Sequence, residues 1–270
     1  MSTLPPIAIL IVPGSFTYPD LYNPITDPIT ARGYEIKTIA LRSAGPAPGQ
    51  PRENNSSSPP TLYDDAAYIS AEIEKLADQG KHVILIGHSY GGAAASESVR
   101  GLRLDERRKQ GKPGGIARLA YITSLVPAVG RSAAEVMQDT SNGGMMVPDE
   151  NGWLHFPSHA ETAAISFSDL PPDEGIAWVG RFSLHSAAAF GTPLTHAGYT
   201  DVPVEYLICE LDRAIPAKVQ RDGIALIEQV SGRKVRVASI QAGHVPMASK
   251  LEETIEWFVG LVERTRTGDV

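Results

Sequence analysis

The pentapeptide Gly87-His88-Ser89-Tyr90-Gly91 follows directly on the apolar run Val83-Ile84-Leu85-Ile86, and no other feature of the chain constrains its fold as much. A short apolar run closed by a glycine turn reads as a buried strand. Gly92-Ala93-Ala94-Ala95-Ser96 then opens a helix of small residues. Strand, Gly-x-Ser-x-Gly and helix in that order form the setting of a nucleophile elbow. So tight a turn is expected to hold Ser89 in a strained conformation and lift its hydroxyl clear of the sheet. Bulky side chains two residues before or after it would collide, which accounts for Gly87 and Gly91. Alone, the pentapeptide is common and marks a loop serine; its context gives this one meaning.

Around the elbow, strand-like and helix-like segments alternate, which predicts a mainly parallel sheet with helices on both faces. Strands are expected at 7–12, 34–41, 83–86, 119–126, 204–209 and 234–239, the rhythm resuming at Val202 after the cap. Helices are expected at 21–32, 66–79 (capped by Asp64 or Asp65) and 251–264. The stretch 43–61, rich in Pro, Ser, Asn and Gly, has no periodicity and reads as a long surface loop. After residue 128 the rhythm changes. A helix is expected at 132–137, a hairpin over 145–156 turning at Asp149-Glu150-Asn151-Gly152, and short helices at 159–166, 173–182 and 184–190. The reading is an α/β core from residues 1–128 and 201–270, with residues 129–200 inserted as a cap.

Serine is a weak nucleophile at neutral pH and needs an adjacent base. Of the seven histidines, only His244 lies between the last strand and the final helix. In elbow enzymes the partners follow the serine in the order acid, then histidine. Ala242-Gly243-His244-Val245-Pro246 is a turn suited to delivering a ring over the sheet edge. The acid belongs just past the strand ending at Cys209. Asp212 is preferred because it lies in the loop proper and Ile215-Pro216 fixes the turn after it; Glu210 is the fallback. An oxyanion hole needs two backbone N–H groups. One is assigned to Tyr90, after the nucleophile, and the other to Ser15 in the turn after the first strand, with Phe16 as runner-up. Gly14 in that turn allows a close backbone approach. Most apolar cap side chains are expected to pack on one another. Several, with Trp153, Phe182, Phe190 and Met146 foremost, together with Phe16, are expected to line an apolar chamber over Ser89.

Other classes recede. A net charge of −7 argues against a nucleic-acid partner. The basic run Arg100–Lys112 reads as a solvated helix end and loop. Cys209 is the one cysteine, so no intrachain disulfide can form, and its apolar strand makes it a packing residue. No glycine-rich phosphate motif occurs, and neither a metal nor a cofactor is expected. The apolar run 7–12 is too short for a signal peptide or membrane span, which suggests a cytoplasmic protein without a membrane partner. A homodimer is compatible with these residues.

The chain resembles the α/β-hydrolase superfamily through Pro13-Gly14-Ser15, Gly87–Gly92, Glu210–Pro216 and Gly243-His244. It looks most similar to the small-cap branch of plant-type methylesterases and hydroxynitrile lyases, on Leu41-Arg42-Ser43-Ala44-Gly45, the hairpin-then-helices order of the cap and Phe190-Gly191-Thr192-Pro193. Two departures stand out. Pro13 occupies the place of the usual histidine, and position 88 is His where lyases of this kind often carry Glu, which leans toward an esterase. The resemblance implies a cofactor-free serine esterase or lactonase acting on a small-molecule ester or lactone, a lyase or cyclase on the same residues being the alternative and a ligand receptor a more distant one.

Overall fold

The computed structural model describes residues 5–46, 58–138, 140 and 145–268. Residues 47–57 of the proline- and serine-rich stretch therefore lie outside the described residues. Strands β1 (Ile7–Val12), β2 (Glu35–Thr38), β3 (His82–His88), β4 (Gly115–Ile122), β8 (Val204–Cys209) and β9 (Arg236–Ile240) form one sheet in the order β2-β1-β3-β4-β8-β9. Every neighbouring pair in it is parallel. Helices cover both faces of this sheet.

The strands read as continuous apolar runs because both faces are covered. Ile9, Ile11, Ile84, Ile86, Ala120, Ile122 and Leu207 share a core with α1 (Asn23–Ala31) and α11 (Leu251–Thr267). The alternate positions Leu10, Val12, Val83, Leu85, Leu119, Tyr121, Tyr206 and Ile208 pack against α2 (Leu62–Ala77), α3 (Gly91–Ser98) and α9 (Ala217–Ser231). Between β1 and β3 the direction in which strands are added reverses. In parallel α/β sheets, ligands bind beside the carboxyl ends of the strands at such a reversal.

Helix α4 (Leu104–Lys109) precedes β4, and the segment between β4 and β8 begins with α5 (Ala133–Gln138). Strands β5 (Val147–Pro148), β6 (Trp153–His155) and β7 (His185–Ser186) make a small antiparallel sheet, and α6 (His159–Ser166), α7 (Pro172–Val179) and α8 (Ala187–Gly191) complete the segment. The short helix α10 (Pro246–Ser249) follows β9.

Four local expectations are revised. Helix α2 starts after Thr61, whose N–H donates to Asp64 at 2.7 Å; Asp65 lies inside the helix and is fully buried. Strand β4 runs from Gly115 to Ile122 and stops because Thr123 turns to φ +41°. Residues 185–186 pair with β6 instead of opening a helix. Arg107 in the basic run is buried, pairing with Asp78 at 2.5 Å and donating to the carbonyls of Pro113 and Gly114.

Candidate active site

Ser89 stands at φ +56° between β3 and α3. Packing enforces that turn. A Cβ on Gly91 would lie 2.2 Å from the Val12 carbonyl oxygen, and one on Gly87 would lie 2.7 Å from Gly92 Cα. Only hydrogen fits at either position, so β1 and α3 close on the serine. Leu125 N–H donates to the Ser89 carbonyl at 3.0 Å, which pins the turn to the segment leaving β4.

His244 projects from the loop between β9 and α10, and Asp212 from the loop between β8 and α9. His244 Nε2 is 3.0 Å from Ser89 Oγ, and His244 Nδ1 is 2.8 Å from Asp212 Oδ2. Facing a carboxylate, Nδ1 carries the ring hydrogen; Nε2 is then bare and accepts from the serine hydroxyl. Asp212 is itself held. Its Oδ1 accepts from Ala214 N–H at 2.8 Å and Ile215 N–H at 2.9 Å, and Gln220 approaches Oδ2 at 3.4 Å. Glu210 points elsewhere, pairing with Arg221 at 2.6 Å.

The turn after β1 lies against the serine. A Cβ on Gly14 would come within 3.2 Å of Ser89 Cβ. Phe16 there has φ +64°, and its carbonyl accepts from Ser183 N–H at 2.8 Å. Tyr90 caps α3, where the first backbone N–H groups have no acceptor within the helix. Its buried phenol donates to Asp65 at 2.8 Å, and Asp65 also accepts from Ser43 N–H at 2.9 Å. Burial pushes the Asp65 carboxyl up, against the opposing pull of these donors, and pushes the Tyr90 phenol up as well.

An apolar cavity with about 690 Å³ of empty space, mouth included, opens onto Ser89 and His244. Ser15, Phe16, Met146, Phe182 and Phe190 line it, as do Met137, Phe156 and Ile215. Trp153 is not among its described lining residues; its ring stands where a Cβ on Gly45 would meet it at 2.8 Å.

The geometry also brings in residues to which the sequence gives no pointer. Asp169 Oδ2 accepts from Gly243 N–H at 2.6 Å, and Ser168 Oγ donates to the Leu211 carbonyl at 3.1 Å. The segment between α6 and α7 thereby touches the neighbours of both His244 and Asp212. His88 is fully buried beside them, and burial depresses its pKa to about 3.

A model of the alpha/beta hydrolase family matches residues 9–257. The chain belongs to the alpha/beta hydrolase family. It is similar to "Probable hydrolase R7" of a Phoma species, with 28% identity over 256 residues that span 94% of this chain and 98% of that one. "Alpha/beta hydrolase nvfD" of Aspergillus novofumigatus is also 28% identical, over 246 residues covering 90% and 91% of the two chains. Among solved structures, a pyrethroid hydrolase from Sphingobium faniae superposes with a TM-score of 0.69 at 20% identity, covering 96% of this chain and 97% of that one. Polyneuridine aldehyde esterase gives 0.70 at 15% identity, with 95% and 99% covered. At such identities the superpositions speak for the fold. Among the described residues, no helix is long and apolar enough to cross a membrane.

Proposed function

We propose that this protein is a cofactor-independent serine hydrolase that cleaves a carboxylic ester or lactone of a small to medium, largely apolar molecule. The supporting observation is the continuous line Ser89 Oγ, His244 Nε2, His244 Nδ1, Asp212 Oδ2, with steps of 3.0 and 2.8 Å, at the wall of the apolar cavity. Relatives that carry hydrolase and esterase names fit the same reading.

The steps follow from the placed groups. His244 takes the hydroxyl proton as Ser89 Oγ bonds to the substrate carbonyl carbon. Asp212 keeps the ring in the Nδ1–H tautomer and stabilises the imidazolium that forms. Negative charge on the carbonyl oxygen is met by backbone N–H groups of Tyr90 and Ser15, with Phe16 the second choice for the latter; one such donor is worth about 3 kcal/mol. His244 then protonates the departing alcohol, leaving an acyl group on Ser89. In the second half it deprotonates a water that releases the acid and restores Ser89. Residues 129–200 act as a cap over the serine, and Phe16, Phe182, Phe190 and Met146 contact the substrate. None of the described lining residues is Lys, Arg, Asp or Glu. A charged substrate would be desolvated there without a partner, so an uncharged one is favoured.

Ser89→Ala is the direct test. Turnover of p-nitrophenyl esters of graded acyl length falls to background in the variant. Turnover at the wild-type rate refutes the proposal. Reaction in water enriched in heavy oxygen checks the chemistry: hydrolysis puts solvent oxygen into the released acid, whereas a lyase leaves it unlabelled.

A further inference from the structure

Beneath the candidate site runs a second hydrogen-bonded line. Gly14 N–H donates to Tyr22 Oη at 2.8 Å. Tyr22 Oη lies 2.7 Å from His88 Nδ1, and His88 Nε2 lies 2.8 Å from the His244 carbonyl oxygen. Each proton on it can be placed. A carbonyl only accepts, so His88 Nε2 carries a hydrogen. Burial keeps the His88 ring neutral and the Tyr22 phenol protonated. Nδ1 of a neutral Nε2–H ring is bare, so the Tyr22 hydroxyl donates to it and its oxygen receives Gly14 N–H. Donors and acceptors run one way, from the turn after β1, through the elbow, to the loop of His244.

The line joins the two parts that must keep their separation while Ser89 reacts. Gly14 precedes Ser15 and Phe16, the proposed source of an oxyanion donor. Its own N–H is occupied by Tyr22, which leaves that task to the next residues. At the other end, the His244 carbonyl also lies 3.3 Å from Thr123 Oγ1, so the backbone of His244 is held by two donors. The His88 and His244 rings stand 5.1 Å apart, centroid to centroid. A neutral ring at that distance does not oppose the charge that forms on His244, whereas a cation would.

We propose that Tyr22 and His88 are positioning residues that fix the oxyanion turn and the His244 loop relative to each other through this line. The inference rests on the hydrolase reading above, and its test separates the two. Tyr22→Phe and His88→Leu each lower kcat on a p-nitrophenyl ester by about 10- to 100-fold, the scale of a small misplacement of reacting groups, with KM within about threefold. His88→Gln, uncharged and keeping one donor and one acceptor, recovers most of the His88→Leu loss. The double variant Tyr22→Phe/His88→Leu is no slower than the slower single, because the line acts as a unit. Wild-type kcat in Tyr22→Phe, or losses that multiply in the double variant, overturns the proposal.

Side-chain nitrogen NMR of the wild-type protein gives a reading independent of turnover and of whether His88→Leu folds. His88 shows the neutral Nε2–H form and does not titrate between pH 8 and pH 5. A hydrogen on Nδ1, or titration in that range, overturns the line. If Ser89→Ala keeps its activity, the hydrolase reading fails while the NMR result still judges the tether.

Discussion

His185 in β7 allows a stability prediction to be worked from the structure. Its ring is fully buried and packs on Phe16, Tyr90 and Phe190, with centroids 5.4, 4.7 and 5.2 Å away. Neither ring nitrogen has a hydrogen-bond partner among the described residues. Desolvation lowers its pKa from 6.5 to about 3. Above pH 6.5 the ring is neutral whether the chain is folded or not, and its contribution is flat. Below that, the unfolded chain takes up a proton that the folded chain refuses, so stability falls with pH until about 3. Between pH 7 and pH 5 the unfolded ring gains about 2 kcal/mol of protonation free energy with no native counterpart. His88, depressed to the same degree for the same main reason, adds a similar loss. Together they remove about 4 kcal/mol from a domain that typically holds about 5–15 kcal/mol. Asp65 works the other way, since its raised pKa makes the folded state the better proton acceptor as acid is added. His185→Phe isolates one group from this sum. Urea unfolding of both proteins at pH 7 and pH 5 is expected to show the wild type losing about 2 kcal/mol more than the variant. Equal losses would refute the buried, neutral His185, whatever the absolute stabilities.

Three further outcomes are expected. Asp212→Asn keeps an acceptor for the Ala214 and Ile215 N–H groups but turns a donor toward His244, so kcat falls by about 10³- to 10⁴-fold with little change in thermal midpoint; steady-state kinetics within tenfold of wild type would count against the assigned acid. Asp169→Ala removes the acceptor of Gly243 N–H and lowers kcat by about tenfold, by loosening the His244 loop; an unchanged kcat at saturating ester would show that the contact is idle. Glu205→Ala removes the carboxylate that the buried Arg118 meets at 2.6 Å and Arg264 at 2.7 Å. Loss of a buried partner costs about 3–5 kcal/mol in chemical denaturation, and a loss under about 1 kcal/mol would mean that water reaches the Arg118 guanidinium.

Much of the fold is legible because both faces of the sheet are covered, so β1, β3 and β8 announce themselves as apolar runs. The elbow is legible because steric demand leaves glycine as the residue that fits at 87 and 91. What the sequence hides are pairings set by tertiary approach. Asp65 reads as a helix cap beside Asp64, yet it is swallowed to receive Tyr90 and Ser43 from distant segments. Arg107 reads as a solvated charge until the carbonyls of Pro113 and Gly114 fold over it. Leu125 and Val126 extend the apolar run of β4, but burial and strand pairing are different demands. They pack in a loop after Thr123 has already turned the chain away.

The candidate site shows the same division more sharply. Parallel strands all leave the sheet at one edge, so the loops after β1, β3, β8 and β9 are bound to meet. A serine, an acid and a histidine in those loops, in that order, can therefore be read as partners with no knowledge of distance. Their supports cannot. Tyr22 lies on the short turn before α1 and Asp169 between α6 and α7, and neither neighbourhood carries a motif. Each matters because a backbone N–H of another loop, Gly14 for one and Gly243 for the other, stops within hydrogen-bond reach of it. A single oxygen on an otherwise unremarked side chain is enough to hold such a loop, and no local pattern of residue types encodes where the loop will stop.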